Sequence, residues 1–144
     1  TATIRLYALE LRAHESNAAQ NSGRSNWDIA VNQRQDLEAY DPQAGWQSKS
    51  DFEQSSADRL ARGEVLFSIR VEQTLAHYGW LIFPARSISI PEVDQTYQLP
   101  AGAAYLYDFY THPDFRSRGM YQASLRRILE HLQSQGCSTA FIGV

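Results

Sequence analysis

Tyr107-Asp108-Phe109-Tyr110-Thr111-His112-Pro113-Asp114-Phe115-Arg116-Ser117-Arg118-Gly119-Met120-Tyr121 is the most informative segment of the sequence. An apolar strand runs into a Pro-marked turn, then a basic loop with one Gly, then the start of an amphipathic helix. That order presents backbone N–H groups to a phosphate. The loop donates free amides, the helix N-terminus adds its positive end, and Arg116 and Arg118 supply charge. An ordinary helix-entry loop, with Gly used for backbone freedom, is the competing reading of the six loop residues alone. Two other phosphate motifs fail. No Gly-Lys-Ser/Thr follows a Gly at P-loop spacing, and a dinucleotide fingerprint needs three glycines where this loop has one.

The helix that follows, read over residues 119–135, carries Tyr121, Leu125, Ile128, Leu129 and Leu132 on one stripe, with Arg126, Arg127 and Glu130 mostly opposite. This is core packing spaced at the helical period. Gly136 is its natural C-cap.

Upstream, residues 4–11 read as a first strand, and the polar residues 14–26 as a mobile loop. Residues 27–40 read as a helix, with Ile29, Ala30, Leu37 and Tyr40 loosely periodic and Asp41-Pro42 breaking it. Ser50-Asp51-Phe52-Glu53 has the pattern of a capping box, opening a helix that runs to Arg62 and stops at Gly63. Residues 64–72 and 75–83 then pair as antiparallel strands across a turn at Gln73-Thr74. Residues 84–102, with three prolines, read as a linker or irregular excursion, and residues 103–111 as the next strand.

The order strand, helix, helix, three strands, helix, strand, together with the loop, resembles the N-acetyltransferase superfamily known as GNAT. Thr111-His112-Pro113 stands at its Val-x-Pro position, and Arg116-Ser117-Arg118-Gly119-Met120-Tyr121 at its pyrophosphate loop, with Tyr121 where Gly or Ala is usual. The resemblance is sharp over residues 104–136. It implies an α/β (α+β) fold with a mixed, mostly antiparallel central sheet flanked by helices. The chain reads as one such domain over 1–144 that ends after the fifth strand of the family, without the helix and strand pair that follow there. Starting without Met and stopping inside the apolar run 139–144, it reads as a trimmed chain. A last strand left open would call for missing residues or a partner chain, so a homodimer stays open.

By the same resemblance, acetyl-coenzyme A is the co-substrate. Backbone groups of Phe109, Tyr110 and Thr111 would meet its pantetheine arm. Ser117, Arg118, Gly119, Met120 and Tyr121 would wrap the pyrophosphate through their amides, with Arg116 and Arg118 adding charge-assisted contacts. The activity implied is N-acyl transfer to a primary amine, on a small molecule or a peptide, by direct attack in a ternary complex. Such transfer needs a base for the ammonium proton. Asp108 is the first candidate, with a pKa raised by burial among Tyr105, Leu106, Phe109 and Tyr110; a purely structural hydrogen-bonding role is the alternative. Tyr107 is the second candidate. Strand alternation sends the two side chains to opposite faces, so only one can face a given pocket. His112 reads as an exposed bystander in the turn. His77 and Tyr78 are candidates for the acceptor pocket.

Composition bounds the rest. A chain of 144 residues is long enough to bury a real core, and three Trp, eight Tyr and six Phe give it ample aromatic surface. The net charge of −3 argues against a general nucleic-acid binder. The single cysteine, Cys137, excludes an internal disulfide and any Cys-based zinc cage, and reads as a half-buried structural thiol. No metal is expected. No apolar run reaches the roughly twenty residues of a membrane span, which points to a soluble cytoplasmic protein with no membrane partner. Two readings from other classes remain: a non-catalytic member of the fold that senses acyl-coenzyme A or regulates, and a bare interaction module without a ligand.

Overall fold

The computed structural model describes residues 5–11, 27–90 and 94–143. Its main sheet has six strands: β1 (Leu6–Glu10), β2 (Ala30–Val31), β3 (Val65–Val71), β4 (Thr74–Ile82), β7 (Ala103–Thr111) and β8 (Thr139–Gly143). They lie in the order β1-β8-β7-β4-β3-β2. β8 pairs antiparallel with β1 and parallel with β7, and the remaining neighbours are antiparallel. A hairpin of β5 (Ser87–Ile90) and β6 (Gln95–Gln98) forms a separate two-stranded sheet. The helices are α1 (Arg34–Leu37), α2 (Lys49–Ala61) and α3 (Met120–Ser134). This is the mixed, mostly antiparallel sheet flanked by helices that the sequence predicts. No described helix is long and apolar enough to cross a membrane.

Each face of the sheet has its own core. α3 lays Ile128 and Leu132 against Phe67, Leu81, Ala104, Leu106, Ala140 and Ile142. All of its predicted stripe except Tyr121 packs there. Emptying the Ile128 site to Ala would cost about 2–5 kcal/mol in transfer and cavity terms. The other face buries Leu37, Tyr40, Phe52, Leu66, Leu75, Tyr78 and Trp80 around α1 and α2.

Several elements differ from the sequence reading, each for a local reason. Residues 27–40 are not one helix. Ala30 and Val31 pair with Ser68 and Phe67, and Asn32 turns the chain at φ 54° while its side chain accepts from the Leu66 amide at 2.9 Å. The loose periodicity belonged to two short elements. The cap of α2 is Ser48, whose hydroxyl accepts from the Asp51 amide at 3.2 Å, so the helix starts ahead of the predicted Ser50 box. Its stop is as expected, with Gly63 at φ 86°. The β3–β4 turn falls at Glu72-Gln73. Residues 84–102 contain the β5–β6 hairpin, whose Ile88 and Ile90 are buried and alternate with serines, a period-2 signal hidden among the prolines. β8 is flanked on both sides by β1 and β7, so it is not an open edge. The predicted loop over 14–26 lies outside the described residues.

Candidate active site

The site is organised by one irregularity in β7. Tyr107 pairs with Trp80 and Tyr110 with Tyr78, so Asp108 and Phe109 together face the single residue Gly79. This is a β-bulge, with Asp108 held at φ 53°. Asp is among the few residues that tolerate this left-handed conformation. Gly79 makes room for it: a Cβ there would lie 2.4 Å from Phe109 Cε1. The bulge resets the alternation. Tyr107 and Asp108 therefore do not point to opposite faces as strict pleating predicts. Both meet Arg59 of α2, while Phe109 packs on the α3 face against Tyr121, ring centroids 5.1 Å apart. Beyond Leu106, which pairs with Ile142, β7 has no β8 partner among the described residues.

On the α3 face, a one-turn helix at Pro113–Phe115 leads into a loop with two left-handed residues, Ser117 at φ 64° and Gly119 at φ 80°. Gly119 is the N-cap of α3 and makes no side-chain capping bond, so the first-turn amides are left for another acceptor. A cavity of about 220 Å³ opens there, lined by Thr111, Phe115, Arg116, Ser117, Gly119, Met120, Tyr121 and Gln122. Six of the nine residues predicted to hold the co-substrate thus surround one space. Arg116 and Arg118 are exposed; Arg118 stacks over Phe115 at 5.3 Å, and its carbonyl accepts from the Trp27 indole at 2.8 Å. Met120 is buried at its side chain, against Ile69 and Ala76. Tyr110 turns to the other face, its ring stacked on Tyr78 at 5.2 Å, and its backbone pairs with Tyr78 of β4.

On the α2 face, Arg59 Nη1 donates to Asp108 Oδ2 at 2.6 Å. The same guanidinium sits 4.9 Å from the Tyr107 ring centroid and 5.2 Å from that of Trp80. The Tyr107 hydroxyl donates to Glu64 Oε1 at 2.5 Å, and Arg62 donates to Glu64 Oε2 through Nε and Nη2. Burial, reinforced by that bond to a carboxylate, pushes the Tyr107 phenol well above its ordinary range. Asp108 thus faces a cation that is itself seated against two aromatic rings, not the purely apolar pocket expected from its sequence neighbours.

Comparison with known proteins places the chain in a family. The Acetyltransferase (GNAT) family model matches residues 31–144. The chain belongs to this family. No curated protein sequence matches it significantly. Among solved structures, a ribosomal-protein-alanine N-acetyltransferase from Brucella melitensis biovar Abortus is 18% identical, with 80% of this chain and 78% of that one covered and a TM-score of 0.53. A Trypanosoma brucei acetyltransferase is 13% identical over 81% of this chain and 82% of its own, TM-score 0.56. An aminoglycoside N-acetyltransferase in complex with coenzyme A is 14% identical over 79% and 74%, TM-score 0.56. At such identities the likeness is one of fold.

Within this GNAT chain the two histidines near the site are structural. His77 is fully buried, its Nδ1 2.8 Å from Thr111 Oγ1, and burial pulls its pKa down to about 4. It lies on the α3 face beside Phe109 and Tyr121, the face opposite Arg59 and Asp108. Tyr78 does lie on the α2 face, under Tyr110. His112 is buried, not exposed. Its Nδ1 accepts from the Asp114 amide, and its Nε2–H donates to Asp41 at 3.0 Å, tying the α1–α2 loop to the turn that leads into the α3 loop. Cys137 is buried, and burial pushes its thiol up, in keeping with a structural role. Sequence reasoning missed Arg59, Glu64, Gly79 and Trp80. Arg59 and Arg62 bracket the end of α2 one turn apart, and nothing local in sequence pairs them with β7.

Proposed function

We propose that this chain transfers an acetyl group from acetyl-coenzyme A to a primary amine, on a small molecule or a peptide, by direct attack in a ternary complex. The observation that carries this reading is the β7 bulge. It sets the Asp108 carboxylate on the α2 face, while the open edge of residues 107–111 and the amide-rich loop lie together on the other side. Co-substrate and acceptor then approach one strand from opposite sides.

In this scheme the loop amides of Ser117 to Tyr121 and the α3 N-terminus take the pyrophosphate, with Arg116 and Arg118 neutralising it. The pantetheine arm lies along the β7 edge at Phe109, Tyr110 and Thr111, displacing the Arg116 Nε that the Thr111 carbonyl now accepts from at 3.4 Å. Tyr121, braced on Phe109, walls the cavity, so its bulk is accommodated at the rim. Asp108 accepts a proton from the acceptor's ammonium, and the freed amine nitrogen attacks the thioester carbonyl carbon. The C–S bond breaks as the C–N bond forms, coenzyme A leaves as the thiolate and takes up a proton, and the amide is released. Tyr107 keeps its proton and positions the acceptor side by anchoring to Glu64.

A second reading is favoured by one feature. Asp108 is already engaged by Arg59 at 2.6 Å, as a binding-only domain would keep it. A thiol-release assay with acetyl-coenzyme A and a panel of primary amines separates the two. The catalytic reading expects amine-dependent release that Asp108→Asn lowers at least tenfold. Co-substrate binding without release for any amine would favour the sensor.

A further inference from the structure

A cation already occupies the place assigned to the acceptor, and the chain itself supplies it. The Arg59 guanidinium is hydrogen-bonded end-on to the Asp108 carboxylate and lies against the faces of Tyr107 and Trp80. A carboxylate at the end and two aromatic faces along the sides form a cage that selects for positive charge. The charges in this cluster pair off in a particular way. Glu64 is nearly buried and is held by Arg62 and by the Tyr107 hydroxyl, a closed set that does not depend on Arg59. Arg59 neutralises Asp108. If Arg59 leaves, Asp108 becomes a half-buried carboxylate without its counter-charge, in a cage shaped for one.

The pair is also able to exchange. The side chains of Arg59 and Asp108 are 20% and 24% exposed, so the contact borders solvent. Arg59 sits in the last turn of α2, and its unbranched stem can swing outward without disturbing the helix backbone.

We propose that Arg59 is an internal stand-in for the acceptor: it holds the seat made by Asp108, Trp80 and Tyr107, and a primary ammonium on a slender aliphatic stem displaces it to bind. The inference rests on the acyltransferase reading for the identity of the incoming cation. It explains why a base would be found capped. Asp108 becomes available for proton transfer only when an ammonium has taken the place of Arg59, and that ammonium is then bonded directly to the carboxylate that deprotonates it. It also sets a substrate class. Alkylammonium acceptors enter the cage, whereas arylamines, neutral at pH 7, gain nothing from it. Competition from Arg59 reduces the apparent acceptor affinity by the fraction of time the seat is free.

The test is titration of n-propylammonium chloride, followed by NMR at constant ionic strength, into the native chain, Arg59→Ala and Arg59→Ala/Asp108→Asn. Arg59→Ala is expected to bind the probe at least tenfold more tightly than the native chain, and the double variant to lose that gain. Should Arg59→Ala not fold, Arg59→Gln carries the same comparison. Equal affinity in the native and Arg59 variants, or binding that persists without the Asp108 charge, would overturn the proposal. Acetyl-coenzyme A titrated into the same samples keeps the two readings apart. A cation seat revealed in a chain that binds no acetyl-coenzyme A supports the seat while removing the transferase reading. Normal co-substrate binding with no new cation seat refutes the stand-in alone.

Discussion

Replacing Gly79 by Ala probes how the β7 bulge is held. The new Cβ would lie 2.4 Å from Phe109 Cε1 and 2.5 Å from Cδ1, about 1 Å inside the usual carbon–carbon optimum of roughly 3.5–4.0 Å. The Phe109 ring has little room to yield, with Tyr121 5.1 Å away on one side and His77 6.3 Å away on another. Overpacking of this kind costs about 1–3 kcal/mol. Ala recovers about 0.5–1 kcal/mol of that through its lower backbone entropy in the unfolded chain. A net loss of about 1–2 kcal/mol is expected for Gly79→Ala. In a Phe109→Ala background the clash is gone, so the same change becomes neutral or slightly stabilising. Urea unfolding of the two single variants and the double variant reads the coupling directly, provided the slope of the transition is unchanged. A coupling of about 1.5 kcal/mol or more is expected. If the two changes add within about 0.5 kcal/mol, as independent sites do, the packing account of the bulge is refuted.

Other expectations follow from single contacts. Burial holds the His77 pKa at about 4, below its ordinary value near 6.5, so on acidification the unfolded chain takes up this proton first. The stability that neutral His77 contributes is therefore complete above about pH 6.5 and lost as pH falls towards 4, about 2 kcal/mol of it between pH 7 and pH 5; urea midpoints of the native chain and His77→Gln at both pH values check this, the variant losing most of the drop. Trp27→Phe removes the indole bond to the Arg118 carbonyl and is expected to cost about 1 kcal/mol and to weaken acetyl-coenzyme A binding several-fold by loosening the loop, as calorimetry would show. Ser48→Ala removes the α2 cap and is expected to lower stability by about 1 kcal/mol in the same urea assay, with co-substrate affinity unchanged.

What could be read from sequence was what is local in sequence. The strand Ala103–Thr111, the turn, the loop and α3 are one continuous segment, and their cues lie within a few residues of each other. The strand, the turn, the loop and the helix were therefore legible from motif and periodicity. The cluster on the α2 face is assembled across long separations: Arg59 meets Asp108 from 49 residues away, and Glu64 meets Tyr107 from 43. No spacing rule links such positions. The bulge escaped for a different reason. Alternation assumes an unbroken pleat, and the signal that it breaks is a glycine in the neighbouring strand, Gly79, whose meaning appears only when Phe109 lies over it. The short β2 and α1 were merged because their apolar residues, taken together, imitate a helical period. A polar residue in a turn is usually exposed, whereas His112 is the buried fastener between two loops.

The proposed transfer stands on the loop at Arg116 to Tyr121 holding the diphosphate of an acyl-coenzyme A. Calorimetric titration of the chain with acetyl-coenzyme A, repeated on Arg116→Ala/Arg118→Ala, tests it most directly. Micromolar binding to the native chain, falling by two orders of magnitude or more in the double variant, is expected. A folded native chain that binds no acetyl-coenzyme A, or a double variant that binds it as tightly as the native chain, would contradict it.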